Sequence, residues 1–387
     1  MHILKTQPCN TVERLLSREE MMDALELLVH RMDIIDTKSM NGFPLYSPAA
    51  TDRWTISPGG SWAGGFWSGW WWLRSRLTGS ASDRRKASEI CQRLTQKISA
   101  DSLNRSLIFW YGAALGSLWF GDAGAQKLAA ESIVAIGASY DPEMDCIPLG
   151  TDMGGGKEGN QRAGIDTLAS LIQLFNSSQH NVYHDIAHCH TDTVLRACFT
   201  GSGAFHADAY YRKWVLRPTD QAGDWSRGQA WGMLGLSRAA AHWGEPYLTH
   251  ARIACEYWKH SRPEAAAPLN RLSHPSGPPH LSSHYDPSSS VIACLAMLCL
   301  AALTPDGNQW RIDAHRGITA VIRSPYFTVF QEHVGDQGKQ NIASGIFWGC
   351  CYETHHGKNE LVESAWGSFF LMAALCILTD VIEPHYC

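Results

Sequence analysis

Apolar residues recur at helical spacing through almost the whole chain, and the segments they define are of two alternating kinds. Stretches such as RKASEICQRLTQKI (85–98) carry apolar side chains along one face only, whereas SVIACLAMLCLAAL (290–303) is apolar all round, as a buried helix must be. Helices are predicted over 14–33, 63–77, 83–99, 105–119, 122–137, 164–176, 182–198, 226–242, 245–260, 287–303, 309–323 and 363–381. One buried helix paired repeatedly with one half-exposed helix implies two concentric layers. An all-α fold, an (α/α)6 barrel with six inner and six outer helices, fits the count. No fixed-period motif supports a helical solenoid. The 387 residues, 45% of them hydrophobic, suffice for one large core, and no linker interrupts them, so residues 1–387 are read as a single domain. Strand-like alternation is scarce. The long segments 140–163, 214–226, 262–286 and 325–362, rich in Gly, Pro, His and aromatics, are expected to gather as functional loops at one mouth of the barrel.

The formal net charge of −5 and the absence of basic blocks argue against nucleic acid and against a polybasic membrane surface. No apolar run is long enough to span a membrane, and MHILKTQPCN lacks the apolar stretch of a secretion signal. Twelve scattered cysteines without a CxxC pair, several inside apolar runs, suggest reduced thiols and a cytoplasmic protein. No cofactor motif is visible, and the sequence leaves the oligomeric state open. The expected partner is a small molecule or an oligosaccharide. Sixteen tryptophans suit a sugar-stacking cleft, but they suit a plain core equally.

Candidate chemistry begins at Asp166 in AGIDTLASLIQLF (163–175), ahead of a helix with Leu168, Leu171, Ile172 and Phe175 on one face. An aspartate there serves either as an N-cap or as an acid. The preceding GGGK has no phosphate-loop spacing and reads as a flexible rim. His184 and His188 are four apart on a helix and form a possible metal pair, although no third ligand is evident. CCYETHH (350–356) matches no closed zinc site, so no metal is assigned. In GDWSRGQAWGMLGL (223–236), Arg227, Gln229 and Trp231 at a helix start form either a grip for a carboxylated ring or a core Trp with an Arg paired to Asp224. Asp286 and Ser288 are cap candidates for the helix that follows them.

Taken in order, these pieces resemble the unsaturated glucuronyl hydrolases, a glycoside hydrolase family, and less closely the unsaturated rhamnogalacturonyl hydrolases. The resemblance covers about residues 60–380. SWAGGFWSGWWWLRSRLTG (61–79), GID (164–166), GAFH (203–206), WSRGQAWGMLGL (225–236), DPSSSVIA (286–293) and WGSFFLMAAL (366–375) each match a family segment, and W-x-R-G-Q-A-W is the most specific. The resemblance implies an (α/α)6 barrel and hydration of a 4,5-unsaturated uronic acid residue. An acid protonates C4, water adds at C5, and the hemiketal opens with loss of the glycosidic bond. It implies that Asp166 is this acid/base and that Trp62, His206, Arg227 and Trp231 bind substrate.

The sequence also departs from the family. The second family aspartate lies in an H-D-x-G-F motif. Against that motif FWYGA (109–113) keeps only Gly112, with Phe109 for the His and Trp110 for the Asp. Ser368 and Ala373 replace two further acids, and CYE (351–353) replaces S-Y-H. A pocket that loses charge and gains Trp110 would suit an apolar ligand. Three functions therefore stay open: a divergent uronyl hydrolase; an acid-catalysed isomerase, cyclase or lyase of a hydrophobic unsaturated metabolite, with Trp110 lining its site; and a non-catalytic ligand-binding barrel.

Overall fold

Six helices that are buried along nearly their whole length close into a ring. In the computed structural model, which describes residues 14–48, 51–273, 284–332, 342–354 and 358–386, thirteen α-helices follow in chain order. They are α1 (Arg18–Ser39), α2 (Gly64–Thr78), α3 (Ala81–Gln92), α4 (Arg105–Phe109), α5 (Leu115–Phe120), α6 (Ala123–Gly137), α7 (Leu168–Asn176), α8 (Asn181–Cys198), α9 (Ser226–Trp243), α10 (Tyr247–Ser261), α11 (Pro287–Leu303), α12 (Gly307–Ile322) and α13 (Ala365–Leu378). A π-helical turn, Trp110–Ala114, joins α4 to α5 into one element. The inner ring runs α2, α4–α5, α7, α9, α11, α13 and back to α2, while α1, α3, α6, α8, α10 and α12 pack outside it. This is the (α/α)6 barrel expected from the pattern of buried and half-exposed segments. The stretch 290–303 is α11, whose residues Pro287 to Leu300 are all buried.

The ring closes tightly where α2 crosses the π-turn. A Cβ placed on Gly65 would sit 2.3 Å from the Ile108 carbonyl oxygen, and one on Gly112 would meet Gly65 Cα at 3.0 Å. The Gly112 carbonyl accepts from Ser68 Oγ at 2.8 Å and Trp72 Nε1 at 3.0 Å, so the widened turn keeps its buried acceptor satisfied. Trp67, Trp70 and Trp72 are core residues of α2. Gly65→Ala is expected to destabilise the barrel by about 1–3 kcal/mol through overpacking. A falling melting temperature in thermal denaturation would show it, and an unchanged one would refute the tight crossing.

Strands are more numerous than the sequence pattern suggests; six of the nine overlap the segments expected to be loops, and the other three fall in other stretches between predicted helices. Strands β1 (Phe43–Pro48), β2 (Thr55–Ser57), β8 (Cys350–Thr354) and β9 (Lys358–Ser364) form a sheet of order β2-β1-β9-β8. Strands β3 (Arg162–Gly164), β4 (Asp208–Arg212) and β5 (Val215–Pro218) form a second. Strands β6 (Phe327–Glu332) and β7 (Ile342–Phe347) form a hairpin. Most are too short for alternation to stand out from the surrounding Gly, Pro and aromatic residues. Among the described residues no helix is long and apolar enough to cross a membrane, and the ten described cysteines are free thiols. Residues 1–13, His355, His356 and Cys387 fall outside the described residues.

Candidate active site

The inner helices share one direction. Trp62 just before α2, Asn104 and Leu107 at the start of α4, Asp166 before α7, Arg227 and Trp231 in α9, and Trp366 in α13 all line one cavity of about 660 Å³. Asp286, the N-cap of α11, reaches the same place through Arg227. Six helix N-termini therefore converge on this mouth. Their unpaired N–H groups and dipoles favour an anionic group there.

Asp166 follows β3, which pairs with β4 so that Gly164 stands opposite Asp208. It does not cap α7: the N-cap is Thr167, whose side chain makes no capping hydrogen bond. Enclosure by protein pushes the Asp166 carboxyl up to about 6, and the nearby charge of Asp208 pushes the same way. Its own and the Thr167 backbone N–H groups, with Arg227, act in the opposite direction. The structure thus holds a carboxyl poised near neutrality on the cavity wall, as an acid/base needs. Asp208 is held by an ion pair with Arg162.

The raised value has a consequence for stability. An acid whose folded pKa exceeds its unfolded one stabilises the fold fully below the unfolded value and loses that contribution as pH rises through the folded value. Asp166→Asn is therefore expected to be more stable than the parent above pH 6, by roughly 3 kcal/mol. The gap should close as pH falls toward 4. Denaturant melts at pH 4 and pH 8 would measure it; a gap independent of pH would refute it.

The cavity wall is largely aromatic. The Trp62 ring lies 6.1 Å from Trp366 and 6.2 Å from Tyr352, which in turn lies 5.0 Å from Tyr46. Arg227 passes between Trp225 and Trp366, its guanidinium carbon 5.3 and 5.0 Å from their ring centres. One of its nitrogens donates to Asp286 Oδ2 and to the Cys351 carbonyl at 2.6 Å. Asp286 is fully buried and also accepts from Ser288 N at 3.2 Å and Ser288 Oγ at 2.5 Å, so it caps α11 and anchors Arg227 together. Asp224 takes another partner, Arg271 at 2.9 Å. Trp231 is nearly buried and meets Phe370 edge-on at 5.4 Å, yet one side of it faces the cavity.

Two expected site residues stand elsewhere. Trp110 does not face Asp166. Six residues past Asn104, it is about 9 Å further down the helix and lines a separate cavity at the base of the barrel. The glycine on which the H-D-x-G-F comparison rests, Gly112, packs against Gly65 in the helix crossing and does not line the mouth. The polar side chain that α4 presents to the cavity is Asn104, whose Nδ2 donates to Met153 O at 2.8 Å. His206 is not on the wall either. Its Nδ1 engages the Asp220 carbonyl at 2.7 Å, in the segment before β4, where the next residue, Ala207, accepts from Ile165 N. Phe109, Ser368 and Ala373 are fully buried and line neither cavity, so their departures from the family pattern remove no charge from this wall.

The remaining candidates have structural partners. His184 Nε2 bonds the Ser178 carbonyl at 2.8 Å, and His188 Nε2 bonds Tyr247 Oη at 3.0 Å. Burial pushes the Cys351 thiol up to about 11, which leaves little thiolate for nucleophilic attack. Sequence reasoning passed over Tyr46, Asn104, Tyr352 and Trp366. Trp366 had a signal as the first residue of WGSFFLMAAL, and Tyr352 had one as the tyrosine shared by CYE (351–353) and S-Y-H.

No family model matches the chain. Relatives match over nearly its full length. It is 23% identical to the unsaturated glucuronyl hydrolase of Bacillus sp. (strain GL1), covering 89% of this chain and 93% of the relative. It is also 23% identical to the unsaturated chondroitin disaccharide hydrolase of Streptococcus pyogenes serotype M1, covering 97% and 95%. Among solved structures, unsaturated glucuronyl hydrolase from Streptococcus agalactiae superposes with a TM-score of 0.78 at 17% identity over 96% of this chain and 95% of that one. The Bacillus sp. GL1 enzyme gives 0.76 at 20% identity over 94% and 97%. Shared architecture and end-to-end similarity agree with the ordered segments in the sequence: over nearly its whole length the chain is similar to the unsaturated glucuronyl hydrolases, and it shares their fold.

Proposed function

We propose that the protein hydrates the C4=C5 double bond of a terminal unsaturated uronic acid residue and so releases the sugar it caps. The observation that carries this reading is the Asp166 carboxyl, raised to about 6 on the wall of an aromatic cavity onto which six helix N-termini open. The carboxyl gives its proton to C4. The carboxylate left behind takes a proton from the water that adds at C5, and the hemiketal then collapses with loss of the glycosidic bond. Trp62, Trp231 and Trp366 offer faces for ring stacking. The helix N-termini, with Arg227 among them, favour the uronate carboxylate. His206 remains an expected contact only through the family resemblance, since it lies off the cavity wall.

An acid-catalysed isomerase or cyclase of an apolar metabolite drew on Trp110 beside Asp166. With Trp110 at the opposite end of the barrel, that reading loses the residue that favoured it. The test is incubation with a panel of unsaturated uronyl disaccharides, following loss of the ultraviolet absorbance of the conjugated double bond. Loss that requires Asp166 supports hydration; no loss with folded protein refutes it.

A further inference from the structure

The sheet of β3, β4 and β5 carries charge and aromatic surface that the proposed reaction does not use. Residues opposite one another in a sheet share a face, and the face alternates along each strand. The pairs Arg162–Tyr210, Tyr210–Arg217 and Arg212–Val215 therefore put three arginines, Tyr210 and Val215 on one side. Tyr211 and Leu216, on the other side, pack against the core, so the arginine side is the one turned to solvent. Arg212, Lys213 and Arg217 are exposed, and none of them forms an ion pair among the described residues. The acids beside them are Glu158, across a shallow groove, and Asp208, which Arg162 already neutralises. The face is left with an excess of positive charge.

The tip of the β4–β5 hairpin adds an aromatic. Its two turn residues, Lys213 and Trp214, both hold left-handed backbone, with φ of 52° and 67°. A two-residue turn of this hand favours Asn and Gly, because a larger side chain crowds the backbone there. Trp214 nevertheless stands in the turn and is 77% exposed, with exposed Val215 beside it. An indole held out in water at a conformational cost adds nothing to the barrel, so its use lies with an outside partner. Position ties this face to the mouth. A Cβ built on Gly164 would sit 3.5 Å from Asp166 Oδ1, and Gly164 shares its face with Arg162, two residues back along β3. The arginine row thus begins beside the proposed acid. Arg212 lies four residues beyond Asp208, about 13 Å further out along the strand. The chain that lines the mouth at Met153 and Gly155 runs on to Gln161, which accepts from Tyr210 Oη on the same face.

We propose that this face binds the distal, acidic sugars of an oligosaccharide whose unsaturated end lies at Asp166. Carboxylates on those sugars meet Arg212 and Arg217, each able to grip one by two parallel hydrogen bonds, and a sugar ring stacks on Trp214. The direction of the chain rests on the hydration reading above; the contact itself does not. A lipid surface fits less well, because the arginines form a row that leads inward to Asp166 and do not ring the tip.

Isothermal titration of the full chain with a saturated hexasaccharide of alternating glucuronate and N-acetylglucosamine, and with the neutral N-acetylglucosamine hexamer, tests the contact without any turnover. The acidic chain is expected to bind about fivefold more tightly, as two exposed ion pairs allow. The double variant Arg212→Ser with Arg217→Ser should lose most of that margin. Trp214→Gly, which suits the left-handed turn, should weaken binding of both chains severalfold. In turnover, the parent should favour an unsaturated tetrasaccharide over the disaccharide severalfold in kcat/KM, and the double variant should not. Equal binding of acidic and neutral chains, or a margin indifferent to the arginine substitutions, would overturn the proposal. So would binding of phosphatidylserine vesicles that needs Trp214 in a protein that binds neither hexasaccharide, which would assign the tip to a membrane. A dimer in sedimentation that Trp214→Gly abolishes would assign the tip to a second copy and overturn it as well. The expected titrations in a protein that turns over no unsaturated substrate would sink the hydration reading and leave this surface standing.

Discussion

Asp166→Asn is expected to lower turnover of an unsaturated uronyl disaccharide by about 10²–10⁴-fold, the usual range for removing a positioned general acid. An amide keeps the size of the side chain and cannot deliver a proton to carbon. The barrel should stay folded, because Asp166 caps no helix and its burial is a cost at neutral pH. The loss should fall on kcat more than on KM, since stacking on Trp62 and Trp231 is untouched. In the parent protein the acid form is the active one, so kcat/KM should decline as pH rises above about 6. Initial rates across pH 4–9, parent against variant, check both points. Full activity in the variant would remove Asp166 from the mechanism.

Asp208→Asn should move that limb in a defined direction. Its charge helps raise Asp166, so neutralising it should shift the decline to lower pH without abolishing turnover. Burial, the larger cause, remains, and the shift should be modest. Here the local sheet matters: the pairing of Gly164 with Asp208 fixes the separation of the two carboxyls.

The barrel was legible because a helix buried on every side and a helix buried on one side leave different traces in the sequence. All twelve expected segments are helical, with the 105–119 segment interrupted only by the π-turn. Asp166, Trp62, Arg227 and Trp231 converge as their motifs imply. What stayed hidden depends on register and on partners distant in sequence. Trp110 and Asn104 differ by less than two helical turns, yet one turns to the base and the other to the mouth. The glycine on which the motif comparison rests, Gly112, serves a helix crossing with Gly65. Tyr46 and Tyr352 reach the site only because β1 and β8 flank β9, a pairing between strands from opposite ends of the chain that no local pattern announces. The partner of Arg227 escaped for the same reason: Asp224 is near in sequence, but Asp286 is near in space.

That last pair sets the largest expected effect on stability. Asp286 has no exposed surface, and Arg227 supplies its counter-charge from a sheath of two tryptophan rings. Arg227→Met keeps the apolar stem but strands a buried carboxylate, which should cost about 3–5 kcal/mol. Asp286→Asn alone removes the charge that needs Arg227 while retaining an acceptor for Ser288, and its cost should be smaller. The double variant, Arg227→Met with Asp286→Asn, should recover a large part of the loss of the first, since no uncompensated charge remains. Chemical denaturation of the three variants at pH 7 forms the cycle. Additive losses would mean that Arg227 acts through packing against Trp225 and Trp366, with no energetic coupling to Asp286. Turnover separates the roles again: even where the double variant regains stability, the mouth has lost its cation, so binding of an anionic sugar should stay weak, seen as a raised KM, while an uncharged ligand should be affected little.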